Sequence, residues 1–165
     1  MKRNGFFARG KERAMVAVAA AAVLGAVTAQ QSDAQPANRV SAADRVVELV
    51  NAERAAAGCG AVKVDARAQS AAQAHADDMA ARGYYDHVSP DGRDVGDRLD
   101  AAGYPWRRVA ENIHRGPASP EEAMRDWLHS PAHRANIVNC ELVDLGVGVN
   151  SGGTGPYWVQ VFATP

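Results

Sequence analysis

The chain has 165 residues, of which 47% are hydrophobic and 22% charged, and its formal net charge is −1. That length favours one domain once any processed segment is set aside. Residues 1–29 hold five of the 18 Lys/Arg and one of the 19 acids; the remainder carries −5 with Lys63 as its one lysine, which excludes nucleic acid and anionic membrane as main partners.

Lys2, Arg3, Arg9, Lys11 and Arg13 precede an apolar run from Ala14 to Val27. The run is shorter than the roughly 20 residues a membrane span needs, and Val27 and Ala29 are small residues at −3 and −1 of a cleavage site. A secretory signal peptide over 1–29 is expected; an uncleaved anchor and an Ala-rich tail are the alternatives. No transmembrane segment is expected after cleavage. Polar, aperiodic residues 30–40 read as a linker, leaving a domain over 41–165.

Ser41 and Asp44 open helix one, about 42–57, as a capping box, and Gly58 stops it. Asn51, Glu53 and Arg54 read as its solvated face. Cys59 follows, and with Cys140 it completes the cysteine count. An oxidising compartment favours a bridge closing a long loop, worth roughly 4–5 kcal/mol at most, over two free buried thiols.

Ala61–Val64 reads as extended, and Asp65 caps an Ala-rich helix over about 66–82 that ends at Gly83. His75 on it reads as a surface or locally satisfied residue. Tyr84 to Gly92 has turn chemistry and carries His87 in a loop. A third helix spans about 94–101. Val109–Ile113 reads as a brief strand or turn in which Glu111, flanked by apolar residues, is a candidate for burial and so needs a partner.

Ser119 and Pro120 start a helix facing inward with Ala123, Met124, Trp127 and Leu128, and Ser130-Pro131 ends it. A turn carrying His133, Arg134 and Asn136 follows. Leu145–Val149 and Tyr157–Phe162 then form a hairpin across a Gly-rich connection. Four helices and a terminal hairpin give an α+β fold.

His87, Glu111 and His133 could hold a divalent cation or move protons, or could form a hydrogen-bond network that fixes loops. His129 and His133 have zincin spacing, but Pro131 intervenes and no Glu follows the first His, so a zincin site is rejected. The chain has no GxSxG elbow and no Walker lysine.

The chain resembles the CAP superfamily (SCP/TAPS: cysteine-rich secretory protein, antigen 5, pathogenesis-related 1) in its bacterial secreted form. The resemblance rests on Leu49-Val-Asn-Ala-Glu-Arg54 with Gly58, the Ala-rich helix through Met79, Asp86-His-Val-Ser-Pro90, Arg98 with Gly103-Tyr104, and Ala110-Glu-Asn-Ile113. It continues through Trp127-Leu-His-Ser-Pro-Ala-His-Arg-Ala-Asn-Ile137, Leu145–Val149 and Tyr157–Phe162. It implies an α-β-α sandwich with a three- to four-stranded antiparallel sheet between helix layers, and a cleft lined by two His and two Glu.

His87, Glu111 and His133 match three of those four positions, and the fourth is Ser130. The implied cleft is therefore His87, Glu111, Ser130 and His133, with His87 and His133 as ligands for zinc or another divalent ion. Asn112, Trp127, Arg134 and Asn136 are structural neighbours of the site. An acid/base pair is incomplete, so the expectation is a secreted module that binds a ligand, of lipid or cell-envelope origin, and is not a conventional enzyme. A metal-assisted hydrolase with Glu111 activating water is the alternative, and an envelope interaction module the third.

Overall fold

The structure, a computed structural model, describes residues 40–165. The expected leader over 1–29, and all but the last residue of the expected linker, lie outside the described residues. Those described form, in order, α1 (Ala42–Ala56), β1 (Lys63–Val64), α2 (Ala66–Arg82), α3 (Val95–Ala101), β2 (Arg108–Arg115), α4 (Pro120–His129), α5 (Pro131–Ile137), β3 (Asp144–Asn150) and β4 (Tyr157–Thr164). The α+β class holds. The helix count does not: the turn expected around His133 is a fifth helix, started by Pro131 at a first-turn position where its missing N–H costs nothing.

The sheet order is β1-β3-β4-β2. β4 is the central antiparallel partner of β3 and β2, while the two-residue β1 joins β3 in parallel. β2 is longer than the brief strand or turn expected, and runs in register from Arg108↔Thr164 to Arg115↔Tyr157.

Side chains alternate along a strand, so β4 faces two cores. Trp158 and Phe162 join Val46, Val50, Trp127 and Ile137 under α1, α4 and α5. Val159, Val161 and Ala163 join Ala72, Met79 and Leu99 under α2 and α3. The sheet is thus the middle layer of a sandwich.

The Ala stripe of α2 lets this helix approach β3 until backbones nearly touch. A Cβ on Gly146 would lie 2.1 Å from the Ala68 carbonyl carbon, and one on Gly148 would lie 2.2 Å from the Ala72 oxygen. Four helical residues rise about 6 Å and two strand residues about 6.6 Å, so the contacts repeat in step. The same step brings two amides to the β3 backbone. Gln69 accepts from Val147 N–H at 2.9 Å and donates to its carbonyl, and Gln73 does the same for Val149 at 3.0 Å each way. Side-chain amides thereby pair groups on β3 that the short β1 leaves open.

Two expectations near α1 need correction. Arg54 is not on a solvated face: it is 1% exposed and donates to the carbonyls of Gly60, Ile137, Asn139 and Leu142. Asn51 likewise pairs both ways with the Val62 backbone. Carbonyls at the end of a loop crossing are buried donors' natural partners, and a helical face count cannot see them. Cys59 and Cys140, 81 residues apart, are bridged beside these carbonyls.

Candidate functional site

Adjacent residues of β2 point to opposite faces of the sheet, and β2 is an edge strand. Glu111 therefore reaches toward α2 and α3, Asn112 toward α5, and the loop carrying His87 meets Glu111 there.

Glu111 has a 2% exposed side chain, and both of its oxygens are taken. Oε1 lies 2.8 Å from His87 Nδ1, and Oε2 accepts from Arg98 at 2.7 Å. Arg98 is 5% exposed and also donates to the carbonyls of Arg93 and His87, so α3 ties the loop and the strand together. A buried charge requires such a partner. The hydrogen bond to Glu111 pushes the His87 pKa up against the effect of burial.

The same bond sets the His87 tautomer. In the neutral ring Nδ1 carries the proton toward Glu111, leaving the Nε2 lone pair free on a side chain that is 52% exposed.

His75 is fully buried against the same carboxylate, not at the surface. Its Nε2–H donates to the Asp86 carbonyl at 3.0 Å and stands 3.9 Å from Glu111 Oε1. Burial lowers its pKa despite the attraction of Glu111, so it is a neutral wall of the site and forms no ion pair. The sequence held a clue: His75 falls on the inward stripe with Ala68, Ala71, Ala72 and Met79.

On the other face, Asn112 joins β2 to β4 and α5. Its amide donates to Gln160 at 2.9 Å and to the His133 carbonyl at 3.1 Å, and its oxygen accepts from Asn136 at 2.8 Å. This lattice holds α5 against the sheet edge and presents the His133 ring, half-buried. Burial first, and the nearby His87 second, lower the His133 pKa. Arg134 is exposed on α5; its backbone N–H bonds the Ser130 carbonyl.

Tyr85, His114, Asp126, Trp127, Ser130 and His133 line a cleft of about 360 Å³. Ser130 caps α5 without a hydrogen bond from its side chain, and Trp127 is core, its Nε1–H donating to the Ile113 carbonyl. The His114–Asp126 pair, 2.9 Å apart, was not foreseen. Asp126 lies one helical turn before Ser130, so this carboxylate sits near, but not at, the fourth position of the expected tetrad.

Toward a cation the site offers two imidazoles, and the Glu111 carboxylate orients the His87 ring. Among the described residues no three His, Cys, Asp or Glu side chains are grouped to hold an ion. Two imidazoles are too few ligands for a closed structural zinc.

A sequence model described as "CAP: Cysteine-rich secretory protein family" matches residues 47–162. The uncharacterized protein YkwD of Bacillus subtilis is 36% identical over 118 residues, 72% of this chain and 45% of YkwD; the uncharacterized membrane protein YlbC of the same organism is 29% identical over 118 residues and 33% of its own length. The chain thus spans less than half of the curated relatives it matches. A solved extracellular protein containing an SCP domain, from Bacillus anthracis, superposes with a TM-score of 0.71 at 27% identity, over 75% of this chain and 40% of that one. Venom allergen-like protein 4 of Schistosoma mansoni shares the fold at 16% identity, with a TM-score of 0.59 over 74% of this chain and 88% of its own.

Proposed function

Because the chain belongs to the CAP, or cysteine-rich secretory protein, family, we propose that it is a secreted binding module, with a cleft that takes a ligand and a divalent cation and performs no hydrolysis. The leader pattern of residues 1–29 and the Cys59–Cys140 bridge support an extracellular setting. One observation carries the rest: Glu111, the carboxylate that hydrolysis would need as a base, is buried and tied by both oxygens to His87 and Arg98. A general base needs a lone pair within reach of water, and the Glu111 side chain is only 2% exposed behind His87 and Arg98. Ser130 supplies no second acid.

His87 Nε2 and the His133 ring would hold the ion, with Glu111 fixing the His87 ring. The test is calorimetric titration of the purified protein with Zn²⁺. Saturable binding that His87→Ala/His133→Ala abolishes is expected; equal binding by both proteins would remove the two-histidine site.

A second ligand class has its own support. A groove of about 340 Å³ between α1 and α4 is lined by Leu49, Ala52, Met124 and Leu128, with charged residues at its rim. Its apolar floor suits an acyl chain. Mass spectrometry of organic extracts from purified protein should find lipid that Leu128→Asp loses; lipid retained by that variant places the chain elsewhere.

A further inference from the structure

The cleft beside His133 has a chemistry that narrows its ligand. We propose that it takes a neutral carbohydrate, with the apolar face of a sugar ring on Tyr85 and the ring hydroxyls on Asp126, His133 and Ser130. This rests on the reading of the cleft as a binding site and not a catalytic one.

Tyr85 is a prepared platform. It is 41% exposed although large and aromatic, and two contacts fix its ring. Its hydroxyl donates to the Ile113 carbonyl at 3.1 Å, and the Arg115 guanidinium lies 5.3 Å from the ring centroid. A ring already immobilised loses little rotamer freedom when a ligand packs against it.

The polar groups are of mixed type. His114 Nδ1 accepts from the Arg115 N–H at 2.9 Å, so its Nε2–H donates to Asp126 and holds that carboxylate in place. Asp126 is 44% exposed, with acceptor capacity left over. The Ser130 hydroxyl is unused as a cap and can donate or accept. Vicinal sugar hydroxyls, each both donor and acceptor, match such a set.

Other ligand classes fit less well. An acyl chain would bury these groups unpaired. A phosphate or carboxylate would face Asp126. A peptide strand adding to β2 would find its outward carbonyls occupied, Glu111 by Asn136 and Ile113 by Tyr85 and Trp127. The volume of about 360 Å³ lies at the lower end of the roughly 300–1,000 Å³ of small-molecule sites, which suits one or two sugar rings.

The experiment is an NMR titration of the purified protein with cellotriose, maltotriose and the trisaccharide of N-acetylglucosamine. Saturable shifts of the Tyr85 ring protons with at least one of them are expected. Tyr85→Ala and Asp126→Asn should each weaken that binding about tenfold or more, and Tyr85→Phe, which keeps the ring, by only about threefold. Asp126 is exposed, so its variant tests the idea without threatening the fold. No saturable shift with any of the three sugars overturns the proposal, as does binding that Tyr85→Ala and Asp126→Asn leave unchanged. Neither variant touches His87, Glu111 or Arg98. A failed sugar titration with intact zinc binding therefore removes this inference alone, whereas chelator-sensitive turnover removes the binding reading beneath it.

Discussion

Glu111→Gln removes one negative charge and almost no volume, and the account predicts a large cost. Arg98 stays 5% exposed with its charged partner gone. Breaking a buried pair by neutralising one member costs about 3–5 kcal/mol, since the other charge is left buried. For a domain of this size that lowers Tm by roughly 10–20 °C. A second readout follows from the other oxygen: with the carboxylate gone, the His87 pKa should fall from its raised position. Thermal unfolding followed by circular dichroism gives the first quantity, and NMR titration of the His87 Cε1 proton gives the second. Arg98→Met/Glu111→Gln should recover part of the loss, because no charge then remains buried. A Glu111→Gln protein within about 1 kcal/mol of wild type, with an unmoved His87 pKa, would refute the reasoning that Glu111 is a tied structural charge.

Gly148→Ala should destabilise by at least about 3 kcal/mol, the top of the usual overpacking range, because its Cβ would meet helix backbone at 2.2 Å; urea unfolding measures it. Arg54→Met should cost about 3 kcal/mol or more by the same method, since four carbonyls lose a charged donor. His75 gives a pH dependence of definite sign. Its folded pKa lies below the unfolded value near 6.5, so the unfolded chain binds the extra proton and stability falls as pH drops through about 6.5. Tm measured from pH 8 to 5 should show a decline that His75→Gln flattens; an unchanged slope would place the titration elsewhere.

The sequence was most legible where a local rule decides. Asp65 caps α2 through Arg67 and Ala68 N–H, and Gly83 closes it at φ 69°, both as capping chemistry requires. Ser41 is the cap of α1, although Asp44 takes the Ser41 hydroxyl instead of reaching back to a backbone N–H. Long-range partners were less legible. Arg54 and His75 lie on helices whose buried stripes are mostly alanine and valine, a weak contrast against which a polar residue on the stripe, as His75 is, is easily read as exposed. The Gln69 and Gln73 pairing with β3 depends on matching a helical rise to a strand rise, which no single segment displays. At the site, residue type and resemblance mark His87, Glu111 and His133 in the sequence. Arg98 stands out in the sequence only as part of a motif, because its role exists only once α3 has folded over the Glu111 carboxylate. His114 and Asp126 carry no sequence signal for a related reason: one sits on a strand and the other on a helix, and only the β2 edge brings them together.

The central claim is that this cleft binds and does not hydrolyse. The direct measurement is steady-state turnover of p-nitrophenyl acetate and of a fluorogenic peptide pool by the purified protein, with saturating Zn²⁺ and again after chelation. The account predicts rates equal to those of buffer containing the same zinc, in both conditions. Turnover above that level that chelation abolishes would contradict it.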